Sequence, residues 1–330
     1  KQFEVREVPV PKPADNEVLI QMKAAGVCGS DVHQFLGENP NAVFPRVPGH
    51  ENAGVIVEVG KDVKNVKVGD HVVVDLVVAC GECPQCRAGR RNVCRQVKAR
   101  GSAIDGGWRE YFAVPEHEVY VMPKELPFRD AALIEPFAVG GHCTARANIQ
   151  GGETVLVLGS GTIGAVILQT LKVKGCRVMC ADINPSSLER ARGYGADAIT
   201  VDPYMGSDCC DAGEQAVFAL VRTCNKSGGE VQRLMAGDRP LYLAVADQMA
   251  RHGASLVVGT GYRLDIRDVR RQCPKSFLLL PECDGENAGP AFDEYGHGAM
   301  LVDFDLQYAE EPAQAVPAAA QLLKQWVTVV

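Results

Sequence analysis

The stretch from Gly151 to Asp182, GGETVLVLGSGTIGAVILQTLKVKGCRVMCAD, decides the fold of the second half of the chain. An apolar run, TVLVLG, is followed by a glycine-rich turn and by a predicted helix, TIGAVILQTLKVKG. A second apolar run, RVMCAD, comes next. The order strand, tight turn, helix and strand is the repeating unit of a parallel α/β sheet.

The turn has the pattern G-x-G-x-x-G, formed by Gly159, Ser160, Gly161, Thr162, Ile163 and Gly164. Its glycines permit a tight turn and the close approach of a pyrophosphate, whose charge meets the amino end of the helix. Asp182 lies at the end of the second strand, 18 residues after Gly164. A carboxylate there binds both ribose hydroxyls and repels a 2′-phosphate, so we expect NAD. The alternative is a glycine-rich turn of another α/β unit, such as that of a methyltransferase.

Length and composition limit the classes of protein that the chain can represent. Its 330 residues predict two domains, and its net charge of -7 with scattered basic residues argues against a nucleic-acid partner. The chain has no uninterrupted apolar run of about 18 residues, and a signal peptide is not visible. We therefore expect no membrane segment and a cytoplasmic location.

The pattern of predicted secondary structure changes near residue 130. Residues 1–130 contain short valine-rich runs separated by Gly, Pro and Asp, which predict an all-β, barrel-like domain. Strands and helices then alternate, which predicts a doubly wound parallel sheet. We expect domain limits at 1–132 and 133–272, followed by a divergent return segment over 273–330.

Four cysteines lie in one polar loop, CGECPQCRAGRRNVC, at Cys80, Cys83, Cys86 and Cys94. The 13 cysteines of the chain are an odd number without a secretory signal, which indicates a reducing compartment. The spacing C-x2-C-x2-C-x7-C lets neighbouring sulfurs reach one tetrahedral zinc, and four thiolates leave no position for substrate. We expect a structural zinc lobe at 80–94; the alternatives are unrelated cysteines or a redox pair.

A second set of ligand-type residues is spread along the chain: Cys28, His50, Glu51 and Glu135. One thiolate, one imidazole and one or two carboxylates suit a catalytic zinc that keeps an open position. Each residue also has an ordinary alternative, as a small buried thiol, a loop histidine or an acidic residue at the start of a helix.

The segment CGSDVH adds three polar residues next to this set. Ser30 is placed to pass a proton from a zinc-bound hydroxyl group towards His33 near the surface. Asp31 is placed to accept the free N–H of His50, as the carboxylates behind metal-binding histidines do. Ser30 and Asp31 also fit the start of a helix, and the two interpretations are compatible.

The motifs GVCGSDVH, PGHENAGVIVEVG, VGDHVVV, the cysteine lobe, EPFAVGGH and VLVLGSGTIG occur in this order over about the first 200 residues. Together they resemble the zinc-dependent medium-chain dehydrogenase/reductase family, and most of all its sorbitol (polyol) dehydrogenase branch. The resemblance implies a GroES-like catalytic domain, a Rossmann domain, two zinc ions per chain and a homodimer or homotetramer. It matches Cys28 and His50 to zinc ligands, and leaves open whether Glu51 or Glu135 is the third.

The resemblance further implies NAD-linked oxidation of a secondary alcohol to a ketone, with a polyol or sugar derivative as substrate. A sugar acid, threonine or a small diol is an alternative within the same chemistry. A catalytically inactive NAD(H)-binding or structural member of the family is an alternative of another class. The match weakens from about Tyr204, and the polar pair Gln232–Arg233 stands where relatives have an apolar strand.

Overall fold

A computed structural model describes residues 2–40, 42–211, 215–259, 263–281, 291–292 and 298–300 of the chain. The chain divides into two compact units, Lys1–Ala145 and Arg146–Val330. This division falls later than the predicted limit between 132 and 133, at the carboxyl end of a helix that begins at Ile134. The three-part division stays a prediction, because most of 273–330 lies outside the described residues.

The described part of the first unit contains both strands and helices. The strands are β1 (Glu17–Ala25), β2 (Asn52–Val59), β3 (His71–Val74), β4 (Val77–Val78), β5 (Lys98–Ala99), β6 (Tyr111–Pro115) and β7 (Val119–Val121). The helices are α1 (Gly29–Leu36), α2 (Pro84–Arg87), α3 (Phe128–Ala131) and α4 (Ile134–Arg146), with 3-10 turns at Arg91–Val93 and Glu116–Glu118. The valine-rich runs of the sequence therefore form the predicted strands.

A five-stranded antiparallel sheet, in the order β6-β1-β2-β3-β7, organises the first unit. Alternate residues of β1 face its core, where Val18 and Ile20 pack with Ile56, Val72 and Phe112. These residues are at most 4% exposed. Because β1 and β2 pair along nearly their whole length, the chain segments next to Ala25 and Asn52 are brought together. Those segments contain Cys28, His50 and Glu51.

The second unit alternates strands and helices. Its strands are β8 (Thr154–Leu158), β9 (Arg177–Ala181), β10 (Ala198–Val201), β11 (Ala216–Arg222), β12 (Met235–Ala236), β13 (Arg239–Pro240), β14 (Ser255–Val258), β15 (Leu278–Leu280) and β16 (Ala299–Met300). Its helices are α5 (Thr162–Val173), α6 (Pro185–Gly193), α7 (Gly228–Gln232), α8 (Leu241–Arg251) and α9 (Arg263–Gln272), with 3-10 turns at Pro203–Met205 and Ser207–Cys210.

Seven of these strands form one sheet in the order β16-β15-β14-β11-β10-β9-β8, and their pairings are parallel. The parallel α/β organisation is confirmed. A doubly wound sheet reverses its strand order beside the first strand, whereas the described strands follow chain order and place β8 at an edge. The pairing of β10 with β11, Ala198 opposite Ala216, produces this order.

The packing of helix side chains in the second unit accounts for a strand order that follows the chain without reversal. Leu168 of α5, Leu188 of α6, Met249 of α8 and Ile266 of α9 belong to the same core cluster. Each of these crossovers therefore packs its helix on the same face of the sheet. The sheet also extends past the predicted limit at residue 272, because β15 pairs with β14.

The polar pair Gln232–Arg233 is not part of a strand. Gln232 ends α7, and its side-chain oxygen accepts a hydrogen bond of 2.8 Å from Arg222, which is fully buried at the end of β11. Asp265 bonds to Nε of Arg222 at 2.8 Å and to Arg233 at 2.9 Å. These polar side chains thus pair with the buried charge of Arg222. That pairing explains why polar residues stand at this position in place of apolar ones.

Candidate metal centres and cofactor site

The sulfur atoms of Cys80, Cys83, Cys86 and Cys94 form a compact cluster. Four of the distances between them lie between 3.5 and 3.9 Å. Four sulfurs at ~2.3 Å from a central zinc would lie about 3.8 Å apart. The same distances are far longer than the ~2.05 Å of a disulfide. The geometry of this donor set therefore fits a tetrahedral metal ion and does not fit disulfides.

Backbone N–H groups point at these sulfurs. The N–H groups of Cys80 and Gln96 donate to Cys94 at 3.3 Å, and that of Cys83 donates to Cys80 at 3.4 Å. The N–H of Arg95, followed by that of Cys86, lowers the pKa of Cys83 to about 6. These N–H groups thus favour the thiolate of Cys83, which is the metal-binding form of cysteine. Desolvation and the neighbouring thiols instead raise the pKa of Cys86 to about 12.

Cys28, His50 and Glu51 form a second group, in which one ligand atom of each residue lies within 4.8 Å of the others. Cys28 is the residue that precedes α1, and His50 and Glu51 directly precede β2. His50 and Glu51 are each 8% exposed. Three protein donors of these types, with a fourth position left over, fit the coordination of a catalytic zinc.

Asp31 lies behind this group and is 6% exposed. One carboxylate oxygen accepts the N–H of Cys28 at 3.0 Å, and the other lies 3.7 Å from Nδ1 of His50. The second distance is longer than a hydrogen bond, so the contact with the imidazole is electrostatic. Cys28 itself is the residue that caps α1, whereas Ser30 and Asp31 lie within its first turn.

Glu135 lies near the group but is not a member of it. It is in the first turn of α4 and half-buried. Burial, the largest cause, raises the pKa of Glu135; Glu51 and Asp75 add to that rise and His50 opposes it. Glu135 therefore interacts electrostatically with His50 and Glu51. Glu51 is the carboxylate whose oxygen lies within 4.8 Å of the ligand atoms of Cys28 and His50.

Ser30 and His33 lie on the exposed side of α1. The side chain of His33 is 66% exposed, and its Nδ1 lies 2.5 Å from a carboxylate oxygen of Glu38. The backbone N–H of Glu38 also donates to the carbonyl of His33 at 2.9 Å. The C-terminal turn of α1 thus holds Glu38 against His33, a contact that the sequence interpretation missed.

The glycine-rich turn of the second unit connects β8 to α5. Gly159 has φ +87°, a conformation that favours glycine. A Cβ on Gly164 would lie 1.8 Å from the carbonyl oxygen of Gly159, so only glycine lets the helix start this close to the strand. A Cβ on Gly161 would meet no atom of the described residues within 4 Å, which leaves the space that a pyrophosphate needs.

The side chain of Asp182 is held beside this turn. Its two oxygens accept the backbone N–H groups of Asn184 at 2.8 Å and of Ser160 at 2.5 Å. These two hydrogen bonds lower the pKa of Asp182. The carboxylate is therefore ionised and fixed next to the glycine turn, as binding of ribose hydroxyls requires. The turn and Asp182 fit a dinucleotide.

Comparison with known proteins identifies the family of the chain. Residues 14–124 match the family model of the alcohol dehydrogenase GroES-like domain. Sorbitol dehydrogenase of Bacillus subtilis (strain 168) is 34% identical over 264 residues, which cover 78% of this chain and 72% of that protein. The chain belongs to the zinc-dependent medium-chain dehydrogenase/reductase family.

Two further matches extend the comparison. L-galactonate-5-dehydrogenase of Escherichia coli (strain K12) is 43% identical over 185 residues, which cover 56% of this chain and 53% of that protein. A solved structure described as a short chain alcohol dehydrogenase from E. coli CFT073, complexed with cofactor NADH, is 27% identical with a TM-score of 0.55. That match covers 83% of this chain and 94% of the solved one.

The matches are partial in length. The chain spans 60%, 53% and 58% of three curated relatives that it matches. Among the described residues, no helix has both the length and the apolar character needed to cross a membrane.

Proposed function

We propose that this family member is a zinc-dependent, NAD-linked oxidoreductase that oxidises a secondary alcohol of a polyol or sugar derivative to a ketone by hydride transfer. The observation that carries this proposal is the convergence of Cys28, His50 and Glu51 within 4.8 Å of one another. The same chain also holds a glycine turn and a fixed Asp182 that fit a dinucleotide.

In this proposal, Cys28, His50 and Glu51 hold the catalytic zinc, and Glu135 is a second carboxylate close to it. When bound, zinc supplies Lewis-acid polarisation of the alcohol and NAD supplies the acceptor for the hydride. Asp31 orients the His50 ring through its carboxylate, 3.7 Å from Nδ1. Cys80, Cys83, Cys86 and Cys94 hold a structural zinc that ties their loop together.

The proton of the alcohol needs a path to water. Ser30 is exposed at the second position of α1, one turn before His33 along the helix. Ser30 accepts this proton as it gives its own hydroxyl proton to His33, which has 66% of its side chain exposed and releases the proton to solvent. The bond between Nδ1 of His33 and Glu38 leaves Nε2 as the ring nitrogen that is available for this transfer.

Gly159, Ser160, Gly161, Thr162, Ile163 and Gly164 bind the pyrophosphate of NAD in this proposal, and Asp182 binds its adenosine ribose. A mixed Cys, His and Glu site suits a polyhydroxylated substrate that chelates the metal. A sugar acid, threonine or a small diol is the alternative substrate class. Assembly as a homodimer or homotetramer and a cytoplasmic location belong to the same proposal.

A substrate panel tests the proposal. NADH absorbance is followed while the zinc-loaded full chain receives NAD with sorbitol, xylitol, inositols, hexonates, threonine or butanediol. We expect turnover on polyols above the other classes. Turnover on another class would reassign the substrate but keep the chemistry. Binding of NADH without turnover on any alcohol would favour a catalytically inactive member of the family. This outcome has to be tested because the chain matches only 53–60% of the length of three curated relatives.

A further inference from the structure

We propose that Trp108 is a positioning residue: with the turn Asp105–Trp108 it holds the segment of Cys28 and the segment of His50 and Glu51 at the separation that metal binding requires. This inference rests on the proposed function, because it concerns the same metal group. The sequence interpretation gave Trp108 no part in the site. The contacts of the residue nevertheless reach both segments.

The turn is bound along its length to the residues that lead into His50. The N–H of Gly106 donates to the carbonyl of Val47 at 2.7 Å. The N–H of Gly107 donates to Gly49 at 2.9 Å, and that of Trp108 donates to Pro48 at 3.0 Å. Three backbone hydrogen bonds from consecutive residues fix the position of the Pro48–Gly49 peptide. They thereby fix the direction in which the backbone continues into His50.

Glycine is required where these two segments touch. A Cβ on Gly106 would lie 2.1 Å from the carbonyl oxygen of Gly49. Gly49 has φ +92°, and a Cβ there would lie 2.0 Å from Cδ1 of Trp108. The indole therefore occupies the space directly above the Gly49 backbone. A change in the shape of the indole moves the residue that immediately precedes His50.

The indole N–H reaches the other segment. Nε1 of Trp108 donates to the carbonyl oxygen of Gly26 at 3.0 Å. The N–H of Gly26 donates in turn to the carbonyl of Glu51 at 2.7 Å. A Cβ on Gly26 would lie 1.9 Å from Oε2 of Glu51, so the carboxyl group of Glu51 packs against this glycine. Trp108 thus connects the peptide two residues before Cys28 to the turn before His50.

These contacts close a ring of segments around the metal group: the indole bridges Gly26 and Gly49, and Gly26 pairs with Glu51. None of these hydrogen bonds uses a ligand atom, so Trp108 acts on metal affinity through backbone position. Removing the indole N–H while keeping an aromatic ring should loosen the Cys28 segment. It should leave the cysteine lobe, which has its own backbone bonds, unchanged.

The test is zinc release from the full chain into an excess of a chromogenic chelator. Zinc release is expected in two kinetic phases, one from each metal site. The Cys28→Ala variant identifies the phase that comes from the Cys28 group, and Cys86→Ser identifies the phase that comes from the cysteine lobe. Trp108→Phe keeps the ring and loses the N–H; Trp108→Leu loses both. Phe112→Leu is the matched control, because Phe112 is an aromatic residue of the same unit, 4% exposed, in the β1–β6 core.

We expect Trp108→Phe to speed the Cys28-dependent phase by about three- to tenfold, the range that loss of one hydrogen bond predicts. The lobe phase should keep its rate, and circular dichroism should show a folded chain. An unchanged Cys28-dependent phase in Trp108→Phe would overturn the positioning role. So would an equal acceleration of both phases, as expected from Phe112→Leu. If Cys28→Ala removes no phase, the metal group itself is absent and the proposed function fails with it.

Discussion

The carboxylate of Asp31 bridges the two segments that carry Cys28 and His50. One oxygen accepts the N–H of Cys28 at 3.0 Å, and the other lies 3.7 Å from Nδ1 of His50. Only 6% of Asp31 is exposed, so solvent screens this charge weakly. A single buried anion therefore orders the start of α1 and the imidazole of the candidate metal site.

Asp31→Ala is predicted to lower zinc affinity at the Cys28 group by about 10–100-fold, because the imidazole loses the anion that orients it. Competition with a chelator of known affinity measures the change. Asp62→Ala, at an exposed carboxylate of the same unit, is the control and should bind zinc normally. Wild-type affinity in Asp31→Ala would contradict the orienting role.

Cys86→Ser is predicted to remove about one zinc ion per chain, because three thiolates no longer close a tetrahedral site. The lobe should then be cut faster by trypsin at the exposed Arg87 and Arg90. Zinc content and cleavage rate are measured on the same sample. Cys224→Ser, at an exposed cysteine outside the cluster, should match the wild type. A full zinc content in Cys86→Ser would exclude the lobe as a metal site.

Asp182→Ala is predicted to raise the Kd for NAD by about 10–100-fold, the range for loss of a hydrogen bond to a charged group. The preference for NAD over NADP should fall, since the charge that repels a 2′-phosphate is gone. Because backbone N–H groups lower the pKa of Asp182, the wild-type preference should be lost only as pH falls through that lowered pKa. Fluorescence titration with both cofactors measures the ratio.

The exposed carboxylate Glu189, 72% exposed in its side chain, supplies the control for this experiment. Glu189→Gln should keep both the affinity and the preference. If Asp182→Ala bound NAD and NADP in the wild-type ratio, the assignment of Asp182 to the ribose would be wrong.

Asp265→Ala is predicted to lower the free energy of unfolding by about 3–5 kcal/mol, because it leaves the fully buried charge of Arg222 without its carboxylate. Urea unfolding measures the loss. Asp268→Ala breaks a 3.6 Å pair with Arg271, whose side chain is 82% exposed, and should cost at most about 1 kcal/mol. Equal costs for the two variants would show that the Arg222 contacts do not contribute as described.

Local features of the fold could be predicted from the sequence because they depend on neighbouring residues. The predicted strand TVLVLG became β8 over Thr154–Leu158, and the predicted helix became α5 over Thr162–Val173. The cysteine spacing fixes how far the four sulfurs can separate, and the structure brings them within 3.5–3.9 Å along four edges. The resemblance matched Cys28 and His50 to zinc ligands and left Glu51 and Glu135 open, so the grouping of Glu51 with them could not be predicted.

Long-range pairings could not be read in the same way. The order of the parallel strands depends on whether β11 pairs with β10 or with β8. The apolar sequence of β11 is compatible with either pairing, so the sequence does not predict the order. Trp108 lies 82 residues from Gly26, and the sequence DGGW contains no signal for that contact. Glu51 and Glu135 are equally plausible ligands by residue type, and only the position of the backbone separates them.

The most direct test of the proposed chemistry measures NADH formation and NADH binding on the same zinc-loaded samples of wild type and Cys28→Ala, with the best alcohol of the panel. The proposal predicts that wild type turns over, that Cys28→Ala loses turnover, and that both bind NADH alike. Turnover retained in Cys28→Ala would contradict a reaction at the Cys28, His50 and Glu51 group. Equal NADH binding without turnover in either protein would contradict the enzymatic function itself.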